Sequence, residues 1–94
     1  MAVTVLVPGV LRAEAGGESK LSLPTSGTLG EVLDEVASRW PRLARRIRDE
    51  RGDLRRYVNV YVDGEDCRLG AGLGTTVRDG AEVQILPSVA GGAG

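Results

Sequence analysis

Hydrophobic and polar positions alternate at both ends of the chain and follow a helical period between them. Val3-Thr4-Val5-Leu6-Val7 sets valines at every second position and stops at Pro8-Gly9, which predicts a strand with one buried face. Beyond a connection containing Gly16-Gly17, Ser19-Lys20-Leu21-Ser22-Leu23 alternates again before Pro24, a second strand antiparallel to the first. Thr28-Leu29-Gly30-Glu31 has the form of a capping box and makes Thr28 the N-cap of a helix. Leu29, Val32, Leu33, Val36, Ala37 and Trp40 recur at its period, so one face packs on a sheet. Pro41 stops that helix or opens a short second one through Leu43, Ala44 and Ile47, and the polar run from Arg48 to Arg56 reads as a surface insertion.

Tyr57-Val58-Asn59-Val60-Tyr61-Val62 alternates most cleanly, with its valines on one side and its tyrosines on the other. Asp63-Gly64 is a turn signal, Glu65 to Leu69 is expected as a short edge strand, and Gly70 to Thr75 as loop. A second Asp-Gly turn at Asp79-Gly80 leads to Glu82-Val83-Gln84-Ile85-Leu86, the last strand, with Val83 and Ile85 inward and Leu86 outward. The order predicts an α+β roll: a mixed sheet of about five strands with one main helix on one face. The domain is expected over residues 1–87 and a tail over 88–94, because Pro87 removes a backbone donor and ends the ladder.

Composition narrows the chemistry. Ninety-four residues support one domain, and with Phe absent its core must be filled by aliphatic side chains. There is no His, which removes His-based triads, metal sites and proton shuttles. Cys67 is the only cysteine, so no internal disulfide can form and a reducing, cytoplasmic setting is expected. No signal peptide or membrane span is read. The formal charge of −1 gives no general pull towards nucleic acid or membrane. The segment Arg39 to Arg56 holds eight of the twelve basic residues with three interleaving acids, carries no aromatic beyond Trp40 on the helix's apolar face, and reads as a solvated surface. Adjacent carboxylates at Asp34-Glu35 and Asp49-Glu50 suggest no pocket, so the chain is not expected to be an enzyme. Cys67 reads as a structural residue rather than a resolving thiol, since Glu65 and Asp66 disfavour a thiolate.

What remains is the end of the chain, Pro87-Ser88-Val89-Ala90-Gly91-Gly92-Ala93-Gly94. Glycines without a Cβ suit a thread that enters a narrow channel. The segment Asp79-Gly80-Ala81-Glu82-Val83-Gln84-Ile85-Leu86-Pro87-Ser88-Val89-Ala90-Gly91-Gly92 resembles the closing segment of the ubiquitin-like sulfur carriers of the MoaD and ThiS superfamily. Tyr57 to Asp66 resembles the central strand and turn of the CysO-like branch, which feeds cysteine synthase.

The resemblance implies a β-grasp fold and a thiocarboxylate carried on Gly92, with Gly91 and Ala90 threading the tail into the partner. It implies no bound cofactor, because ATP is used by the activating partner, an E1-like adenylating enzyme of the MoeB or ThiF type. Such carriers end at the second glycine, so Ala93 and Gly94 mark an extension that a JAMM-type zinc metalloprotease trims. The sulfur-accepting enzyme stays open among cysteine synthase, molybdopterin synthase, thiazole synthase and a specialised sulfur-transfer enzyme. So does a second function, a protein modifier joined through Gly92 to target lysines. Lys20, the single lysine, restricts chain building on this protein itself. Leu6, Tyr61 and Leu86, outward by alternation, are the expected docking residues.

Overall fold

A computed structural model describes residues 2–87 and gives the β-grasp architecture. Strands β1 (Val3–Leu6), β2 (Lys20–Leu23), β4 (Val58–Val62), β5 (Glu65–Asp66) and β7 (Glu82–Pro87) form one five-stranded sheet in the order β2-β1-β7-β4-β5. Its two central strands, β1 and β7, run parallel, and every other pairing is antiparallel. A parallel pair needs a covered crossover, and here helices α1 (Leu29–Arg39) and α2 (Pro41–Ile47) lie within it.

The inward face is entirely apolar. Val3, Val5, Val58, Val60, Val83 and Ile85 are buried against Leu29, Val32, Leu33 and Val36 of α1 and Leu43 and Ile47 of α2. The capping box forms as expected: the Glu31 amide donates to Thr28 Oγ1 at 3.2 Å and the Thr28 amide to Glu31 Oε1 at 2.9 Å. Pro41 opens α2 rather than only ending α1, since Trp40 serves as C-cap of the first helix and N-cap of the second.

Four expectations change. Ala37 is exposed, because it lies about 100° round the axis from Val36 and falls beyond the buried stripe. The edge strand is only Glu65–Asp66; Cys67–Leu69 turns into a 3-10 helix capped by Asp66, whose carboxylate accepts the Arg68 amide at 2.9 Å. The connection after β1 is itself structured, a 3-10 helix over Gly9–Ala15 that buries Leu11 and Ala15. A two-stranded sheet of β3 (Gly27–Thr28) and β6 (Thr76–Val77) was not expected from pattern, since pairs of two residues leave no periodicity. It anchors the start of α1, where the Leu29 amide donates to the Thr75 carbonyl at 2.8 Å.

Candidate functional site

The last strand determines where the tail starts. β7 lies between β1 and β4, and its final residue, Pro87, stands opposite Val58. Pro87 has no N–H to give the ladder, and the Val58 amide donates to the Arg55 carbonyl at 3.0 Å. The chain therefore leaves from the middle of the sheet at one end. Ala90, Gly91, Gly92, Ala93 and Gly94 lie outside the described residues.

The outer sheet face meets this exit without a helix over it. The register aligns Lys20, Leu6, Gln84, Tyr61 and Asp66 in a row across five strands. Leu86 stands one step nearer the exit, opposite Asn59. Leu6, Tyr61 and Leu86 thus share one face. They do not form a single apolar cluster, because Gln84 separates Leu6 from Tyr61 by two strand spacings, roughly 10 Å. Leu6 and Tyr61 are half-buried, and Leu86 is 38% exposed. Leu6 and Leu86 instead line a shallow cleft of about 260 Å³ together with Pro8, Arg12, Lys20 and Gln84. Tyr57, 51% exposed, precedes the Pro87-facing end of β4.

Two arginines that alternation did not single out frame this face. Arg12 Nε donates to the Val7 carbonyl at 3.1 Å. Arg68 Nη1 donates to Asn59 Oδ1 at 3.0 Å, and its Nη2 to the Arg55 carbonyl at 2.6 Å. Their sequence neighbours gave no signal, because each reaches its place through a 3-10 turn.

The remaining candidate chemistry has structural explanations. Cys67 is 2% exposed; burial pushes its thiol pKa up, the Asp66 carboxylate adds to that, and Arg68 opposes it only in part. It remains a thiol at neutral pH. A broad groove of about 980 Å³ runs from Tyr61 past Asp66 and Cys67 to Thr76, with Cys67 in its wall. The Asp49 carboxylate accepts the Arg51 and Asp53 amides at 2.9 and 3.1 Å. Partial desolvation lifts its pKa, but those amides, the Asp53 one foremost, and then the charges of Arg51 and Arg55 hold it below the ordinary value. Asp49 thus organises the loop after α2. Among the described residues no three His, Cys, Asp or Glu side chains are grouped to hold a metal ion, and no helix is long and apolar enough to cross a membrane.

Comparisons with known proteins agree with this geometry. The family model described as "ThiS family" matches residues 5–92. The sulfur carrier protein CysO of Mycobacterium tuberculosis is 42% identical over 94 residues, covering 98% of this chain and all of the relative. Its crystal structure superposes with a TM-score of 0.85 at 39% identity, over 93% of this chain and 99% of that one. In the Amycolatopsis orientalis BexX/CysO complex the similar chain gives a TM-score of 0.83 at 42% identity, over 94% of this chain and 97% of the other. Small archaeal modifier protein 1 of Haloferax volcanii is 32% identical over 82 residues, 85% of this chain and 90% of the relative.

Proposed function

From the premise that the chain belongs to the ThiS family of ubiquitin-like sulfur carriers, we propose that its sulfur rides on the carboxyl carbon of Gly92 once Ala93 and Gly94 have been removed. The observation that carries this reading is the extent of the family match, which runs to Gly92 and leaves Ala93-Gly94 beyond it. Five Cα-to-Cα steps separate Pro87 from Gly92, a reach of no more than about 18 Å at ~3.3–3.6 Å per residue. The folded domain then works as the handle and the tail as the reactant.

The chemistry belongs to partners. A carboxylate is a poor electrophile, so an E1-like enzyme transfers AMP from ATP to the Gly92 carboxylate, releasing pyrophosphate and leaving an acyl-adenylate. A sulfide-level donor attacks that carbon and expels AMP, giving the thiocarboxylate. A sulfur-accepting synthase takes the sulfur into a small metabolite, cysteine or another, and water cleaves the remaining acyl linkage so that the tail returns to a carboxylate. ATP is consumed in the activating enzyme, and this chain binds no cofactor of its own. A JAMM-type zinc metalloprotease performs the prior cleavage after Gly92. Leu6, Tyr61 and Leu86 on the open sheet face dock these partners, while Gly91 and Ala90 thread their channel. The assembly of a similar CysO chain with BexX supports docking of this fold on a separate protein. The likeness to a small archaeal modifier favours one second reading, in which Gly92 ends in an isopeptide bond to another protein's lysine.

The test is intact mass after incubation with the E1-like enzyme of the same organism, ATP and sulfide. The chain ending at Gly92 is expected to gain the oxygen-to-sulfur mass difference, and the full chain to remain unchanged because its Gly92 carbon is held in a peptide bond. Sulfur incorporation into the full chain with Ala93-Gly94 still attached would overturn the processing step. Covalent high-mass adducts in place of a free thiocarboxylate would favour the modifier.

A further inference from the structure

Three arginines of the helical side are held by carboxylates, whereas two beside the tail exit are held by neutral acceptors. On the helical side, Arg39 pairs with Glu35 at 2.7 Å, Arg48 with Asp34 at 2.8 Å and Arg46 with Glu14 at 3.6 Å. Those three charges are matched. Around the tail exit the acceptors are neutral: the Val7 carbonyl for Arg12, and the Asn59 amide oxygen and Arg55 carbonyl for Arg68. Among the described residues neither arginine forms an ion pair, and neither does Lys20. A neutral acceptor fixes a guanidinium in place while leaving its charge uncancelled.

The sheet register turns this into a pattern on one surface. Lys20 and Arg12 border the cleft at Leu6 and Leu86 on one side of the exit, and Arg68 stands on the other beside Asn59, the cross-strand neighbour of Leu86. The far end of the same face is acidic. There the Glu82 amide donates to the Asp63 carboxylate at 2.9 Å, and exposed Glu65 opens β5 opposite Val62. A chain with a net charge of −1 therefore sets three cations, Arg12, Lys20 and Arg68, around the tail exit, with Asp66 in the same cross-strand row, and carboxylates together with Arg78 at the opposite end.

We propose that this ring sets the orientation of docking: the activating enzyme carries a rim of carboxylates around the mouth of the channel that receives the tail. The proposal rests on the tail-delivery reading and adds the chemistry of the partner surface. Apolar contacts at Leu6 and Leu86 are indifferent to a half-turn about the sheet normal, and charge is not. Rotated docking sets Glu82 and Asp63 against the carboxylate rim, and like charges held together cost enough to exclude it. Opposite charges at the mouth also speed encounter, and that contribution weakens as salt screens it.

The experiment measures the association rate constant of the chain ending at Gly92 with its E1-like enzyme by stopped flow. The double variant R12E/K20E is expected to associate about 10-fold more slowly at ~50 mM salt, with the gap closing at ~500 mM. R68Q removes the charge while keeping a polar side chain, and is expected to slow association about threefold. E65K/E82K, at the far end, associates at the unaltered rate or faster. Melting curves confirm that each variant is folded. Salt-independent association, or equal slowing by changes at both ends, overturns the ring. Adenylation at saturating enzyme separates the two readings: normal adenylation with charge-independent association removes the ring alone, while no adenylation of the unaltered chain removes both. Binding of a single-stranded RNA of about 20 nucleotides that is lost in R12E/K20E would assign the ring to nucleic acid and overturn the protein partner.

Discussion

The two faces of the sheet are built from the same strands and answer to different demands. On the inner face, Val58, Val60, Val83 and Ile85 are sealed under α1 and α2, and among the described residues none that is buried is polar or charged. On the outer face, Gln84 separates Leu6 from Tyr61, and Leu86 is partly open beside Asn59. Adjacent residues of one strand thus belong to different functions. The inner face is specified by water exclusion, which any well-fitting aliphatic side chain satisfies. The outer face spaces its partly exposed apolar side chains with polar groups, which limits random association of the free chain.

Ile85 and Leu86 break this comparison most directly if it is wrong. Ile85→Ala is expected to destabilise the fold by about 3 kcal/mol, from lost burial plus the cavity left behind, as measured by denaturant unfolding. Leu86→Ala should leave stability within about 0.5 kcal/mol yet weaken calorimetric binding to the activating enzyme by about 2 kcal/mol. Equal stability losses at the two positions would mean that the faces are not separated as described.

A smaller effect sharpens the inner side. Thr28→Ala removes the acceptor for the Glu31 amide and is expected to cost about 1 kcal/mol of stability. Because α1 covers the inner face alone, enzyme binding by the folded fraction should not change. A loss of affinity measured well below the melting temperature would show that α1 also takes part in docking.

The smallest expected effect is local. The Asp49 pKa is lowered in the fold, so its contribution is present above the unfolded carboxylate value of about 3.9 and is lost as pH falls through the lower folded value. The Asp53 amide resonance should therefore titrate with a midpoint below about 3.9, with no step near neutrality. A midpoint at or above that value would remove the loop-organising role of Asp49. The sheet's outer face should give no response to that titration, since Asp49 lies in the segment between α2 and β4.

The sequence alone was enough for the inward valines, the capped helix and the two Asp-Gly turns, because each is decided by neighbours within one or two turns of chain. The Val-Ala-Gly-Gly resemblance in the tail carried the functional reading on the same local basis, and its residues beyond Pro87 are not among those described. Alternation also placed Gln84 on the side of Leu86, but it could not show that Gln84 stands between Leu6 and Tyr61. That follows from the strand order β1-β7-β4, in which Gln84 pairs with Leu6, 78 residues away, and with Tyr61, 23 residues away, which no local pattern encodes. Tertiary structure likewise decided the shortening of β5, the β3–β6 pair and the gathering of Arg12, Lys20 and Arg68 at one end. A charge's position along a chain says what it is; only the register and the turns that fold it back determine which charges share a surface, because electrostatic effects depend on distance through space.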